Sequence, residues 1–340
     1  MSKYNIGIRP QEPPEISEKI AATTLNSIRE ILPHCMIKQA CDQIGYDYSN
    51  RILNPLVTVL HMILAAIWPE ESFNASWQVL WTAVASRFPE LKGKSPSRAS
   101  VSKARSRLPL SLWDKLFACI SQKAQDMAED FAYWRGHRTA LLDGTCVSMP
   151  DKPELFKAFG MNTGYHGKGR YPLARIVTVC LANTMTVISY ALGRYDQSET
   201  TLAFSILSTL KKGDLLVADR YFAAAHFYCY YKSLALEFLT RAHQRLKISR
   251  IKRLDSYSQN DFLGWLKINK NYRKKDACLP EKILVRFIRA SVRIRGKVSG
   301  VDMCVPINYE KPLWHTHNMV AGGCWCQGLK GYCAEQAGRL

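Results

Sequence analysis

The stretch Asp214-Leu215-Leu216-Val217-Ala218-Asp219-Arg220-Tyr221-Phe222 decides how the rest of the chain is read. Four apolar residues between two acids suit a short strand buried on both faces, of the kind found inside a parallel sheet. Upstream, Ser198 to Leu210 predicts a helix, with Ser198 as its cap and Glu199 in its first turn. Lys211-Lys212-Gly213 closes it. Downstream, Ala223 to Ser233 reads as a second helix. Farther upstream, Arg138-Thr139-Ala140-Leu141-Leu142-Asp143-Gly144-Thr145 is another short apolar strand ending on an acid and a glycine. Arg175 to Leu181 and Thr186 to Leu192 are β-branched runs separated by Ala182 to Met185, a hairpin signal. The order strand, hairpin, helix, strand, helix predicts a mixed α/β sheet with ligand space at its strand ends.

The composition is globular: 340 residues, 47% hydrophobic and 22% charged, which excludes a disordered tail protein. With 47 Lys plus Arg against 28 Asp plus Glu, the net charge is +19 and favours a polyanionic partner, nucleic acid before membrane. Met1 to Glu15 holds no apolar signal core. The most apolar stretch, Ile52 to Trp68, is interrupted by Asn54, Pro55, Thr58 and His61 and predicts a buried helix rather than a membrane span. Eleven cysteines without a secretory signal predict reduced thiols in the cytoplasm.

Residues 1–130 read as an all-α domain. One helix starts near Ser17 and is broken by Pro33; others cover Leu56 to Trp68 and Ser72 to Phe88. Between Arg87 and Arg107 stand seven basic residues and one acid, Glu90. A short Ser-started helix bearing Arg98, Lys103, Arg105 and Arg107 on one face suits DNA phosphates, like the second helix of a helix-turn-helix, or is a solvated basic helix. Residues 241–297 hold 17 Lys plus Arg and four acids, so +13 of the +19 lies there. Ile283 to Phe287 and Ser291 to Ile294 alternate apolar and basic, which predicts strands with one buried face and one basic face for phosphate. Lys252, Arg253, Arg273, Lys274, Lys275, Arg286, Arg293 and Arg295 are its candidate DNA contacts. His166, Lys168 and Arg170 lie in a Gly-rich basic loop that either grips phosphate or is simply solvated.

Asp143 and Asp219 each close a predicted strand. If those strands are neighbours, both carboxylates meet at one spot, and paired carboxylates on rigid strands suit Mg²⁺. Two such ions about 4 Å apart activate water and stabilise the leaving oxygen of a phosphodiester. The plain alternative is a turn at Asp143-Gly144 and a surface ion pair at Asp219-Arg220.

Asp143-Gly144-Thr145, then Ser198-Glu199, then Asp214 to Phe222 resembles the DDE transposases of bacterial insertion sequences, most closely the insertion-sequence-four family. Leu32-Pro33, Arg51-Ile52-Leu53-Asn54-Pro55 and the Ser-Arg-rich helix resemble that family's N-terminal domain, so the likeness covers about residues 25–300. It implies an all-α N-terminal DNA-binding domain (1–130), an RNase H-like mixed sheet (131–240) and a β-rich basic insertion (241–300). It also implies Mg²⁺- or Mn²⁺-dependent nicking and strand transfer, two ions, a DNA hairpin intermediate and a homodimeric synaptic complex. The partners are double-stranded terminal inverted repeats and target DNA, and the setting is the cytoplasmic nucleoid. Asp143 and Asp219 map onto the first two catalytic acids, and Arg220 onto the basic residue that contacts phosphate or orders the second acid.

The family's late helix carries Tyr, two residues, Arg, three residues, Glu, six residues, Lys. No such spacing follows residue 297; Glu310 precedes a proline by two positions and Glu335 has no matching arginine. Residues 301–340 therefore read as an aberrant tail, and the chain as truncated or frameshifted after about Val301. The expectation is a protein that binds DNA but cleaves weakly or not at all, or that inhibits an active enzyme; another RNase H-like nuclease is the rival. His315, His317, Cys324 and Cys326, with Cys304 and Cys333, suggest zinc, against which the Cys-x-Cys spacing argues.

Overall fold

The computed structural model describes residues 25–68, 72–87, 95–128, 134, 136–162, 169–294 and 297–305. The chain divides into two compact units, with the boundary between Lys123 and Ala124.

The first unit is helical: α1 (His34–Gln43), α2 (Pro55–Ile67), α3 (Phe73–Arg87), α4 (Arg98–Arg107) and most of α5 (Leu110–Ala128), with further helix at residues 25–31. Pro33 stands between that helix and α1, because a proline has no N–H to continue the ladder. The start predicted near Ser17 lies outside the described residues. Asn54 caps α2 by accepting from the Val57 N–H. α2 buries Val59, Leu60, His61 and Leu64, and His61 is held by the Phe73 carbonyl at 3.0 Å and the Ser76 hydroxyl at 3.2 Å. Among the described residues no helix is long and apolar enough to cross a membrane. Trp77 and Trp81 stack at 5.9 Å inside the helical core, so they serve packing.

The second unit is built on one mixed sheet. Its strands are β1 (Thr139–Ser148), β2 (Leu173–Leu181), β3 (Val187–Arg194), β4 (Leu215–Ala218), β5 (Glu237–Arg241), β6 (Arg253–Ser258), β7 (Asp261–Lys267), β8 (Lys282–Ile294) and β9 (Lys297–Val305). Their order is β3-β2-β1-β4-β5-β9-β8-β7-β6. β4 runs parallel to both its neighbours, β1 and β5; β2–β3 is the predicted hairpin. Short helices α6 (Pro153–Phe159) and α7 (Glu199–Ile206), then α8 (Ala225–Ser233) and α9 (Lys270–Lys275), complete the unit. Leu202, Ala203 and Ile206 of α7 and Phe227, Tyr228 and Tyr231 of α8 pack in one core with Leu142, Val177, Val179, Leu216, Ala218 and Phe238. Ser198 caps α7 by accepting from the Thr201 N–H, as its sequence position predicts.

Four expectations are corrected. β1 does not end at Asp143; it runs on to Ser148 because β2 continues to pair with it as far as Ser148↔Leu173. The helix from Ser198 stops at Ile206 and passes through a 3-10 turn, Leu207–Thr209, toward the positive-φ Gly213. The two predicted pieces of the basic segment are one strand, β8, which pairs with β9, and β9 in turn pairs with β5. Finally, β8 has no simple basic face. Arg286 is 1% exposed, with its guanidinium bonded to Asp261 at 2.7 and 2.6 Å and covered by the Tyr257 ring at 4.5 Å. A buried carboxylate on β7 neutralises it, because a guanidinium is kept inside a core only when its charge is paired. Arg286 is therefore not a DNA contact.

Candidate active site

The parallel ladder between β1 and β4 ends at Leu142↔Ala218. The next residue on each strand is an aspartate, Asp143 and Asp219. That register makes neighbours of two acids 76 positions apart in the chain. It is held at the other end of the ladder by a buried ion pair, in which the Arg138 guanidinium donates to Asp214 at 2.9 Å through Nε, and by the Leu215 N–H donating to the Arg138 carbonyl at 2.9 Å. β4 stops after Ala218, and Asp219 turns to cap the 3-10 turn Arg220–Phe222, accepting from the Tyr221 N–H at 2.8 Å. Phe222 is buried beneath it and the Tyr231 hydroxyl donates to its carbonyl, so the carboxylate sits on a rigid base.

A third acid stands beside this pair. Glu199 begins α7, and the glycine after Asp143 faces it: a Cβ on Gly144 would lie 2.8 Å from Glu199 Cδ and 2.9 Å from Oε2. Arg175 of β2 reaches Glu199 at 3.5 Å from Nη1, and its guanidinium lies 5.3 Å from the Tyr195 ring centroid. Burial raises the Glu199 pKa above the usual carboxylate range; Arg175 opposes this, and the charges of Asp219 and Asp143 add to it. Asp219 is raised as well, first by burial, against the Tyr221 N–H, and then by Asp143. The three carboxylates thus feel one another electrostatically, the mark of acids gathered in one place. Among the described residues, no three acidic, His or Cys side chains are posed closely enough to hold a metal ion outright.

Both shifts carry a sign. A carboxyl whose folded pKa is raised adds stability fully below its unfolded pKa and loses that contribution as pH rises through the folded one. The contribution of Asp219 and Glu199 is therefore expected to fall as pH climbs through and above the carboxylate range. A series of melting temperatures between acid and neutral pH checks this: the wild-type Tm should decline relative to Asp219→Asn over that window.

The basic residues are scattered. Arg98, Lys103, Arg105 and Arg107 are exposed on α4, which rests on buried Val101 and Ala104; Arg105 also lies 5.2 Å from the Phe73 ring centroid. Lys252, Arg253, Lys274 and Lys275 are exposed, Arg273 is partly buried, and Arg220 donates to Gln244 at 3.2 Å. The Arg293 side chain, Arg295, His166, Lys168 and the tail beyond Val305 lie outside the described residues. Cys304 is buried in β9, packed in the sheet core and not available as a zinc ligand.

Residues 134–292, which contain all three acids, match the family model of the transposase DDE domain. The likeness spans residues 134–292, just under half of the chain. A relative in Escherichia coli (strain K12), InsZ, named as a transposase, is 32% identical over 130 residues, 37% of this chain. The match covers 42% of that relative's length. Among solved structures, endonuclease V of Bacillus subtilis aligns over 56% of this chain and 76% of its own at 13% identity, with a TM-score of 0.23, too slight a likeness to define the fold.

Sequence reasoning singled out Asp143 and Asp219 and placed Glu199 only in the first turn of its helix. The signals were present: an acid in the first turn of the helix between the two aspartates, and a glycine after Asp143 that opens space for it.

Proposed function

We propose that the protein is a DNA transposase with an RNase H-like core, nicking insertion-sequence ends and joining them to target DNA with Asp143 and Asp219 as Mg²⁺ ligands. The observation that carries this reading is the β1–β4 register, which sets the two aspartates side by side within the DDE domain. The donor set fits the ion: hard carboxylate oxygens on adjacent strands, one of them half-buried and anchored by a backbone N–H. When bound, such ions activate the attacking oxygen and stabilise the leaving one. The chain's own residues supply the rest. Phe222 and the 3-10 turn hold Asp219 still, and Arg220 beside it offers a cation to a phosphate. The exposed bases of α4, with Lys252, Arg253, Lys274 and Lys275, hold the duplex backbone. Pairing of two element ends calls for a homodimer, and the DNA substrate places the protein at the nucleoid.

A nicking assay with Mg²⁺ on DNA bearing the element's ends tests this. Cleavage that survives loss of the Asp219 carboxylate overturns it. The DNA-binding part is tested separately. Substituting Lys103 or Arg105 by Ala is expected to weaken binding evenly across sequences. It should also lower the slope of log K against log salt by about 0.9 for each phosphate the side chain no longer neutralises. Affinity measured at several salt concentrations reads this directly; an unchanged slope removes α4 from the interface.

A further inference from the structure

A cleft of about 500 Å³ opens between α8, the Phe204 side chain of α7 and the stretch from α9 to Leu279. It lies on the helix-covered side of the sheet. Leu142 and Ala218 point to that side, into the core they share with α7 and α8, so Asp143, the next residue of β1, faces the other way. The wall of the cleft is aromatic. The Tyr272 ring of α9 stacks on His226 of α8, with centroids 3.8 Å apart and planes at 17°. Tyr230 stands edge-on to Phe204 at 4.6 Å, and its hydroxyl donates to the Phe204 carbonyl at 3.2 Å, which fixes the pair. Tyr272 is 44% exposed and so keeps ring surface for a second flat group.

Two polar groups at the cleft have work left to do. Burial lowers the His226 pKa, which keeps the ring neutral with one donor and one acceptor nitrogen. Among the described residues nothing hydrogen-bonds to either nitrogen; the ring's contacts are the flat ones to Tyr272 and Phe227. Lys275 ends α9 after Arg273 and Lys274, and makes no ion pair among the described residues. The nearest acid in the chain, Asp276, is turned back to accept from the Cys278 N–H at 2.9 Å. Stacked rings suit a planar heterocycle, a neutral imidazole suits its hydrogen-bonding edge, and an unpaired ammonium suits a phosphate. The volume suits a whole small molecule with a two-ring base.

We propose that this cleft binds a free purine nucleotide, with the base against Tyr272 and His226 and the phosphate on Lys275. The sheet stands between the cleft and the face that carries Asp143, so a base of DNA held at the two aspartates is kept from it. The ligand is therefore a separate molecule, and its site is additional to the handling of DNA.

Calorimetric titration of the full chain with ATP and with GTP, each beside its nucleoside, tests the proposal without any appeal to cleavage. Wild-type protein is expected to bind at least one of the two saturably, and more tightly than the matching nucleoside. Tyr272→Ala is expected to weaken that binding by at least about 5-fold, the low end of what one aromatic stack contributes, while Tyr272→Phe leaves it unchanged. Lys275→Ala is expected to erase the preference for nucleotide over nucleoside and to leave nucleoside binding as it was. Both side chains are exposed, so these variants are expected to keep the wild-type fold, which circular dichroism checks. If neither nucleotide binds, or if Tyr272→Ala binds as tightly as wild type, the proposal is overturned. A DNA duplex carrying one unpaired purine is the last arm. If it binds in a Tyr272-dependent way and ATP and GTP do not, the cleft serves DNA and the free nucleotide is overturned.

Discussion

Asp219→Asn is expected to lower Mg²⁺-dependent nicking of element-end DNA by at least about 10²–10³-fold while leaving affinity for the same DNA almost unchanged. The substitution keeps the shape of the side chain and its acceptance of the Tyr221 N–H at 2.8 Å, so the turn over Phe222 has no reason to move. It removes one negative charge and one hard oxygen donor from the place where β1 and β4 end their pairing. On the proposed reading the site works by electrostatic stabilisation of a charged reaction centre, so that loss falls on the rate and not on the grip on DNA, which that reading assigns to basic side chains of other elements. Rates from single-turnover nicking, set beside affinities from fluorescence anisotropy, separate the two. A variant that loses binding and cleavage in proportion would show that Asp219 holds structure instead.

Asp214→Ala is expected to cost about 3–5 kcal/mol of stability, because it leaves the Arg138 guanidinium buried without its counter-charge. Arg138 and Asp214 are 6% and 4% exposed. Asp214 also accepts from the Lys211 N–H at 2.8 Å, which ties the turn after α7 to the start of β4. For a unit of this size the corresponding fall in Tm is roughly 6–20 °C. Thermal melts of Asp214→Ala and of the double change Arg138→Met with Asp214→Leu check the cause. If an unpaired charge is the cause, the double variant recovers much of the loss, since an apolar pair of similar volume has nothing left to desolvate. If the loss is only missing packing, the two variants melt together. The pair matters for function because it fixes the β1–β4 register at the end opposite to Asp143 and Asp219.

The local rules were legible wherever one element's own residues decide the outcome. Leu215–Ala218 reads as a doubly buried strand, and it is one. Ser198 reads as a cap, and its hydroxyl accepts from the Thr201 N–H. The hairpin of β2 and β3 follows from two β-branched runs and a short break. The failures share one cause: each turned on a partner elsewhere in the chain. β1 passes beyond Asp143 only because β2 pairs with it that far. Arg286 goes inside only because Asp261 waits across on β7 with a matching carboxylate. Glu199 reads as a helix-start acid until Gly144 and Arg175 are set beside it.

By itself, then, the sequence determined a two-part chain, a mixed α/β sheet, two strand-borne aspartates and a basic segment carrying +13 of the +19. These are properties of composition and of short-range periodicity, which a few consecutive residues carry. Only the tertiary structure decided which basic residues still face outward, where β1 ends and which third acid stands beside the pair. Those outcomes depend on register and burial, which set charges tens of residues apart against one another and are written in no single segment.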